Sequence, residues 1–252
     1  MREEVKISEI PSYTHMTGEI YDLIYADKDY KGQSAKLVRI IEQRLKSGGN
    51  TVLEAACGTG SYMQFLKDKF TISGFDLSTE QIEAAKKRLP DLDFFVADMT
   101  DFDTGQPYDA VLCLFSSIGY LQTKGALDKA IANMAKHTKP GGLIIVEPWL
   151  KAENFEEGHV SLETNSNDKM TVARMGVSSK EGNNVSVINM HHMVGTRDGV
   201  QHFLEVHKLG MYSDNDFTDA FAKAGLEIEI DPEGLTGRGL YIGKKPPKQT
   251  DM

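Results

Sequence analysis

The chain has no run approaching the roughly 20 consecutive apolar residues that a membrane-spanning helix requires. Its opening residues, MREEVKISEIPSY, contain no apolar stretch of the kind a secretion signal carries. Neither a span nor a signal peptide is expected, and no membrane partner. Cysteine is scarce: Cys57 and Cys113 lie in apolar, strand-like segments and form no metal-ligand spacing. They read as small buried hydrophobes of a reducing compartment, so a cytoplasmic protein without a metal is expected. Positive charge is also in deficit. Lys and Arg total 28 against 37 Asp and Glu, a formal net charge of −9. Nucleic-acid binding calls for clustered Lys and Arg to displace counterions. The one basic cluster, Lys244, Lys245 and Lys248, sits in a Pro-containing tail, so no nucleic-acid partner is expected. Internal repeats and low-complexity segments are absent.

What remains is an ordinary globular composition, 40% hydrophobic and 26% charged over 252 residues. That length is long for one domain and short for two, so one elaborated core is expected. The first 150 or so residues alternate short apolar runs with helix-period segments, the signature of a parallel sheet with crossover helices. Strands are predicted at Thr51–Ala56, Thr71–Phe75, Asp93–Ala97, Ala110–Phe115 and Leu143–Glu147. A helix over Ser34–Lys46 presents Leu37, Ile40, Ile41 and Leu45 on one face. Another follows the Gly-rich turn through Tyr62, Phe65 and Leu66. Ser78 and Gln81 make a capping box that opens a helix running to about Arg88. Leu127, Ile131 and Met134 mark a further helix, closed by a turn at Lys139-Pro140-Gly141-Gly142. After Trp149 the pattern becomes antiparallel, with turn signals at 165–169, 181–184 and 197–199. Asp216–Ala224 is a helix stopped by Gly225, and Leu226–Ile230 with Gly239–Gly243 form a hairpin that finishes the sheet. Residues 1–157 and 213–252 are thus read as a Rossmann-like α/β core, and 158–212 as an antiparallel β insertion. Such an insertion would cover a substrate or form a dimer contact. Its strand edges need covering, so a homodimer is expected.

The chemistry concentrates in Glu54-Ala55-Ala56-Cys57-Gly58-Thr59-Gly60, between a strand and a helix. Gly58 and Gly60 let the backbone turn tightly and approach a ligand. Asp76 ends the next strand, where a carboxylate accepts both hydroxyl hydrogens of a ribose. Asp98 and Met99 follow the third strand, suited to an adenine amino group and to packing on its ring. Acids at the carboxyl ends of successive strands form a nucleotide site. A dinucleotide fingerprint needs a third glycine where this chain has Met63, which argues against NAD. No P-loop lysine follows the turn either.

The order of these motifs, from Glu54 to Glu147, resembles that of class I methyltransferases. The resemblance implies S-adenosylmethionine as cofactor, with Ala56, Gly58 and Gly60 at its methionine part, Ala56 standing where many members carry glycine. It further implies Asp76 and Leu77 at the ribose, Asp98 and Met99 at the adenine, Tyr21 and Tyr30 around the methionine end, and Leu114 completing the set. Over roughly residues 13 to 243 the chain also resembles N,N-dimethyltransferases of nucleotide-linked deoxyaminosugars. That likeness rests on Gly18–Leu23, Lys28–Tyr30, Phe115–Tyr120, Val146–Trp149, Arg197–His207 and Thr236–Leu240. By that resemblance Tyr13 and Tyr120 line the acceptor amine, Trp149 borders the sugar, and Arg238 lies near the diphosphate. The substrate implied is a small molecule, a sugar nucleotide, with another small acceptor, an amino-acid amine or a phenolic oxygen, as the alternative. His191, His192, His202 and His207 read as sheet or subunit-contact residues.

Overall fold

The computed structural model describes residues 9–10 and 18–247; Tyr13 lies outside them. In chain order the elements are β1 (Glu9–Ile10), α1 (Gly18–Ile24), α2 (Tyr30–Arg44), β2 (Thr51–Ala55), α3 (Met63–Leu66), β3 (Thr71–Asp76) and α4 (Thr79–Arg88). They continue with β4 (Asp93–Val96), β5 (Tyr108–Cys113), α5 (Lys124–Lys136), β6 (Thr138–Val146), β7 (Val160–Ser166) and β8 (Thr171–Glu181). The last are β9 (Val185–Thr196), β10 (Gly199–Gly210), α6 (Asp214–Lys223), β11 (Glu227–Asp231) and β12 (Leu240–Lys244).

The main sheet has seven strands in the order β11-β12-β6-β5-β2-β3-β4. Strands β2 to β6 run parallel, and the β11–β12 hairpin adds antiparallel to β6. The central strands are largely apolar because both of their faces are covered, with Glu54 and Asp109 as buried exceptions. Successive residues go to opposite layers: Val52, Leu112, Ile145 and Ile242 pack with Leu37 and Ile41 of α2. Leu53, Val111, Ile144 and Tyr241 pack with Ile131 of α5 and Phe217 of α6. The chain leaves β2 toward β3 on one side and later returns to β5 on the other. That reversal opens a crevice at the carboxyl ends of β2 and β5, where ligands of such sheets bind.

Over this crevice lies a second sheet, β1-β10-β9-β8-β7. Its four long strands are the predicted antiparallel segment. Glu9–Ile10, assigned by sequence to the core, instead pairs parallel with β10; two residues are too few to show a strand period, and β10 offers them an unpaired edge. Two local expectations also change. Lys139–Gly142 is no turn but the first part of β6, running past an irregularity opposite Tyr108 and Ala110. Its backbone is paired there, Lys46 N donating to Gly141 O and Gly141 N to Lys245 O. The capping box of α4 is only half made: Ser78 Oγ accepts from Gln81 N at 3.3 Å. Ser78 N donates to Asp76 instead, at 2.9 Å. Among the described residues no helix is long and apolar enough to cross a membrane.

Candidate active site

One cavity of about 1160 Å³ fills the crevice, floored by the parallel sheet and roofed by the inner face of the second. Its floor begins at the turn after β2. Ala56 and Gly58 hold φ of 55° and 54°, a left-handed bend in which a side chain is strained. Ala56 therefore sits in the conformation for which glycine is the unstrained choice. Asp76 locks this bend: its Oδ2 accepts from Gly58 N and its Oδ1 from Ser78 N, both at 2.9 Å. Burial raises the pKa of Asp76, while the N–H groups of Ser78, Gly58 and Leu77 pull it back. Each oxygen spends one lone pair on the backbone and keeps another for a ligand hydroxyl. Beside it Leu77 is 69% exposed at the cavity wall, an apolar side chain placed for a flat ligand to cover. Further along, Asp98 Oδ1 accepts from Thr100 N and Oγ1, both at 2.8 Å, which leaves Oδ2 uncommitted to Thr100. Met99 lines the same wall.

A second cluster is built around Glu147, fully buried after β6. Its Oε2 accepts from Phe115 N and its Oε1 from Thr236 Oγ1, both at 2.7 Å. It thereby ties the β5 end, where Phe115 and Ser116 hold positive φ, to the loop that carries Arg238. The Arg238 guanidinium lies 4.7 Å from the centre of Trp149 and donates to Ser116 Oγ at 3.0 Å. Burial lowers the pKa of Arg238, and the Glu147 charge opposes that shift. Trp149 is itself held by a 2.9 Å bond from Nε1 to Ser186 Oγ of the roof. Tyr120 enters from a 3₁₀ turn, Ser117–Leu121, with its hydroxyl 2.7 Å from His207 Nδ1. Tyr21 lines the cavity too, its ring tilted against that of Tyr25 with the centres 4.7 Å apart.

Of the residues expected at the site, Tyr21, Ala56, Gly58, Asp76, Leu77, Asp98, Met99, Tyr120, Trp149 and Arg238 thus share one cavity. Tyr30, Gly60 and Leu114 do not line it. Tyr30 packs edge-on against Tyr62, behind Lys28. Gly60 turns toward Leu89 and Phe94, and Leu114 is 2% exposed in the core. Each lies within two residues of a lining residue in sequence, Lys28, Gly58 or Phe115, but the chain has already turned inward there.

Sequence reasoning missed five wall or near-wall groups. Lys28 sits in a cage of Tyr30, Tyr62 and Phe115 and donates to Tyr62 OH at 2.6 Å. Burial lowers its pKa to about 8, with Glu147 opposing and Arg238 reinforcing the shift. Gln81, 3% exposed, points an amide at the Gly58 turn with no hydrogen-bond partner among the described residues. In the sequence it reads as a capping-box partner, with no hint of a place at the cavity wall. Glu147 was visible as part of a matching stretch, without a role. His207, read as a sheet or subunit-contact residue, faces the cavity because its strand parity points it inward, and Glu205 two residues earlier shares that face.

Glu54, 2% exposed, gives the site a pH signature. Burial first, then the Asp76 charge, pushes its pKa from 4.5 up to about 8, against the pull of Lys28. Between those values the folded chain keeps a proton that the unfolded chain has released. Stability therefore falls as pH rises through that window. Glu54→Gln should flatten this fall, seen as a wild-type-minus-variant Tm difference that shrinks between about pH 5 and about pH 8 without cofactor. A constant difference would mean that Glu54 is ionised throughout.

A parallel α/β sheet with a glycine turn, a carboxylate on the neighbouring strand and a covered crevice defines a nucleotide-cofactor enzyme of the class I methyltransferase type. Residues 52–142 match the family model of a methyltransferase domain. The chain is 37% identical, over 89% of its length and 96% of the relative's, to the dTDP-3-amino-3,4,6-trideoxy-alpha-D-glucopyranose N,N-dimethyltransferase of Streptomyces venezuelae. The crystal structure of DesVI from Streptomyces venezuelae superposes with a TM-score of 0.85 at 37% identity, covering 90% of this chain and 97% of that one. The S-adenosylmethionine-bound amino pentose methyltransferase CalS10, from Micromonospora echinaspora, gives 0.81 at 30% identity, covering 90% and 96%. The chain belongs to this family of S-adenosylmethionine-dependent N-methyltransferases.

Proposed function

We propose that the protein methylates the amine of a nucleotide-linked deoxyaminosugar, with a thymidine diphosphate sugar as the first substrate to test. The observation that carries this reading is the Arg238–Trp149 pair on the cavity wall. A fixed guanidinium over an aromatic ring suits a diphosphate joined to a sugar. The cavity is also larger than most single-ligand sites, leaving room for two molecules.

The chain fits the cofactor in three places. Asp76 has a spare lone pair on each oxygen for a ribose diol. Leu77 and Met99 offer apolar surface beside Asp98 for an adenine. The Gln81 amide lacks a partner among the described residues beside the glycine turn, with Tyr21 near the methionine end. When bound, S-adenosylmethionine supplies an electrophilic methyl group. The work left to the chain is alignment and exclusion of water. Arg238 and Trp149 hold the nucleotide sugar, Tyr120 orients the amine, and the inner face of β7–β10 covers the site.

The direct test is incubation with S-adenosylmethionine and a thymidine diphosphate aminosugar, read by mass spectrometry. Gain of one or two methyl groups is expected. Methylation of free amino acids or phenols instead would favour the alternative acceptor class.

The outer face of the second sheet supports an assembly. Val160, Leu162, Met175, Val177, Met193 and Val200 are all at least 39% exposed there. Single exposed apolar residues are ordinary, whereas a contiguous face of this kind calls for a partner. We propose that residues 158–212 roof the cavity with one face and form a homodimer with the other. Light scattering should return twice the chain mass, and Leu162→Glu with Met175→Glu should return it to one. A wild-type monomer at micromolar concentration counts against the dimer.

A further inference from the structure

Lys28 is a caged cation whose place the fold fixes from two sides. It comes directly before Asp29, whose side chain caps α2 by accepting from Gly32 N at 2.8 Å. Gln33, one turn into α2, accepts from the Lys28 ammonium, and so does the Tyr62 hydroxyl, at 2.6 Å. Tyr62 spends its own hydrogen on Gln33 Oε1, also at 2.6 Å, so the three side chains close a triangle. The rings of Tyr30, Tyr62 and Phe115 surround the nitrogen, their centres 4.8, 4.8 and 4.4 Å from it. Such a cage favours the charged form, and a pKa of about 8 leaves Lys28 mostly protonated at neutral pH.

An ammonium has three hydrogens. Two are committed, and among the described residues nothing accepts the third. No described carboxylate forms an ion pair with Lys28 either. Glu147, whose charge reaches it, already accepts from Phe115 N and Thr236 Oγ1. A half-buried cation on the cavity wall, with a hydrogen to give and no anion beside it, suits an anionic ligand.

Which anion follows from the order of the strands. From its edge the sheet runs β4, β3, β2, β5. Asp98 follows β4 and Asp76 ends β3, the places read above for adenine and ribose. A ligand laid across these strand ends in that order carries its remaining part past the glycine turn after β2, toward β5. Lys28 stands at that step, because Tyr62 comes just after the glycine turn and Phe115 just after β5. We propose that Lys28 binds the carboxylate at the methionine end of the cofactor. This rests on the cofactor placement above and not on the nature of the acceptor.

The test is a cycle between the residue and the group it holds. Wild type and Lys28→Met, an unbranched replacement that still fills the aromatic cage, are titrated calorimetrically with adenosylhomocysteine and with its decarboxylated analogue. Removing the carboxylate should cost wild type roughly tenfold in affinity, the scale of one charge-assisted hydrogen bond, and cost Lys28→Met nothing further. Lys28→Met should bind adenosylhomocysteine roughly tenfold more weakly than wild type, with its affinity for thymidine diphosphate within about twofold. Should Lys28→Met fail to fold, Lys28→Gln, which stays polar but loses the charge, enters the same cycle. Equal losses for both ligands, the mark of a packing role, overturn the proposal. So does full affinity in a folded variant, or a loss confined to thymidine diphosphate. Failure of the cofactor placement itself shows separately, as full adenosylhomocysteine affinity in Asp76→Ala.

Discussion

Asp76→Ala should weaken S-adenosylmethionine binding roughly 100-fold, the largest effect on the cofactor expected of any single substitution here. Two ribose hydroxyls would lose a charged acceptor, together worth about 3 kcal/mol. The substitution also strips Gly58 N and Ser78 N of their acceptors. Those donors are half-buried, so the turn should loosen and the protein lose about 1–2 kcal/mol of stability. Asp76→Asn separates the two effects. Its amide oxygen can keep one of the two backbone bonds while its NH2 faces the other donor, so stability should return only in part while affinity stays well below wild type. Calorimetric titration of the cofactor and thermal melts of all three proteins check this. Full affinity in a folded Asp76→Ala protein would refute the ribose assignment.

Arg238→Ala should raise KM for an aminosugar nucleotide roughly tenfold or more and leave kcat within a few-fold. An anchor distant from the reacting nitrogen holds ground state and transition state alike, so its loss shows in binding. The scale is that of one charge-assisted pair, about 1.5–3 kcal/mol. Arg238→Lys should recover part of the loss, since a lysine keeps the charge without the planar fork or the stacking on Trp149. Steady-state kinetics at saturating cofactor decide it. A wild-type KM in Arg238→Ala would remove the phosphate role and leave the smaller acceptors in play.

The core of the fold was legible because its signals are local. Buried parallel strands are short apolar runs, and each helix carries its stripe and its cap within a few residues. The glycine turn, Asp76 and Asp98 were readable for a related reason: each follows directly on a recognisable strand. Where the sequence misled, a tertiary partner had taken over. Lys139–Gly142 has turn composition, yet pairing with residues 46 and 245 draws it into β6. Gln81 matches a capping box, yet Asp76 takes the bond to Ser78 and leaves the amide for the cavity wall.

The sequence by itself determined the parallel sheet, its cofactor crevice and the presence of an antiparallel segment, because periodicity and motif order are properties of neighbouring residues. Only the tertiary structure decided where that segment lies. Laying its inner face over the crevice brings His207 to Tyr120 from 87 residues away, and the same fold brings Arg238 onto Trp149. Glu205 shows the reason most plainly. Its full burial and its place beside His192 depend on how β9 and β10 pair, and strand pairing is set by contacts that no local stretch of sequence contains.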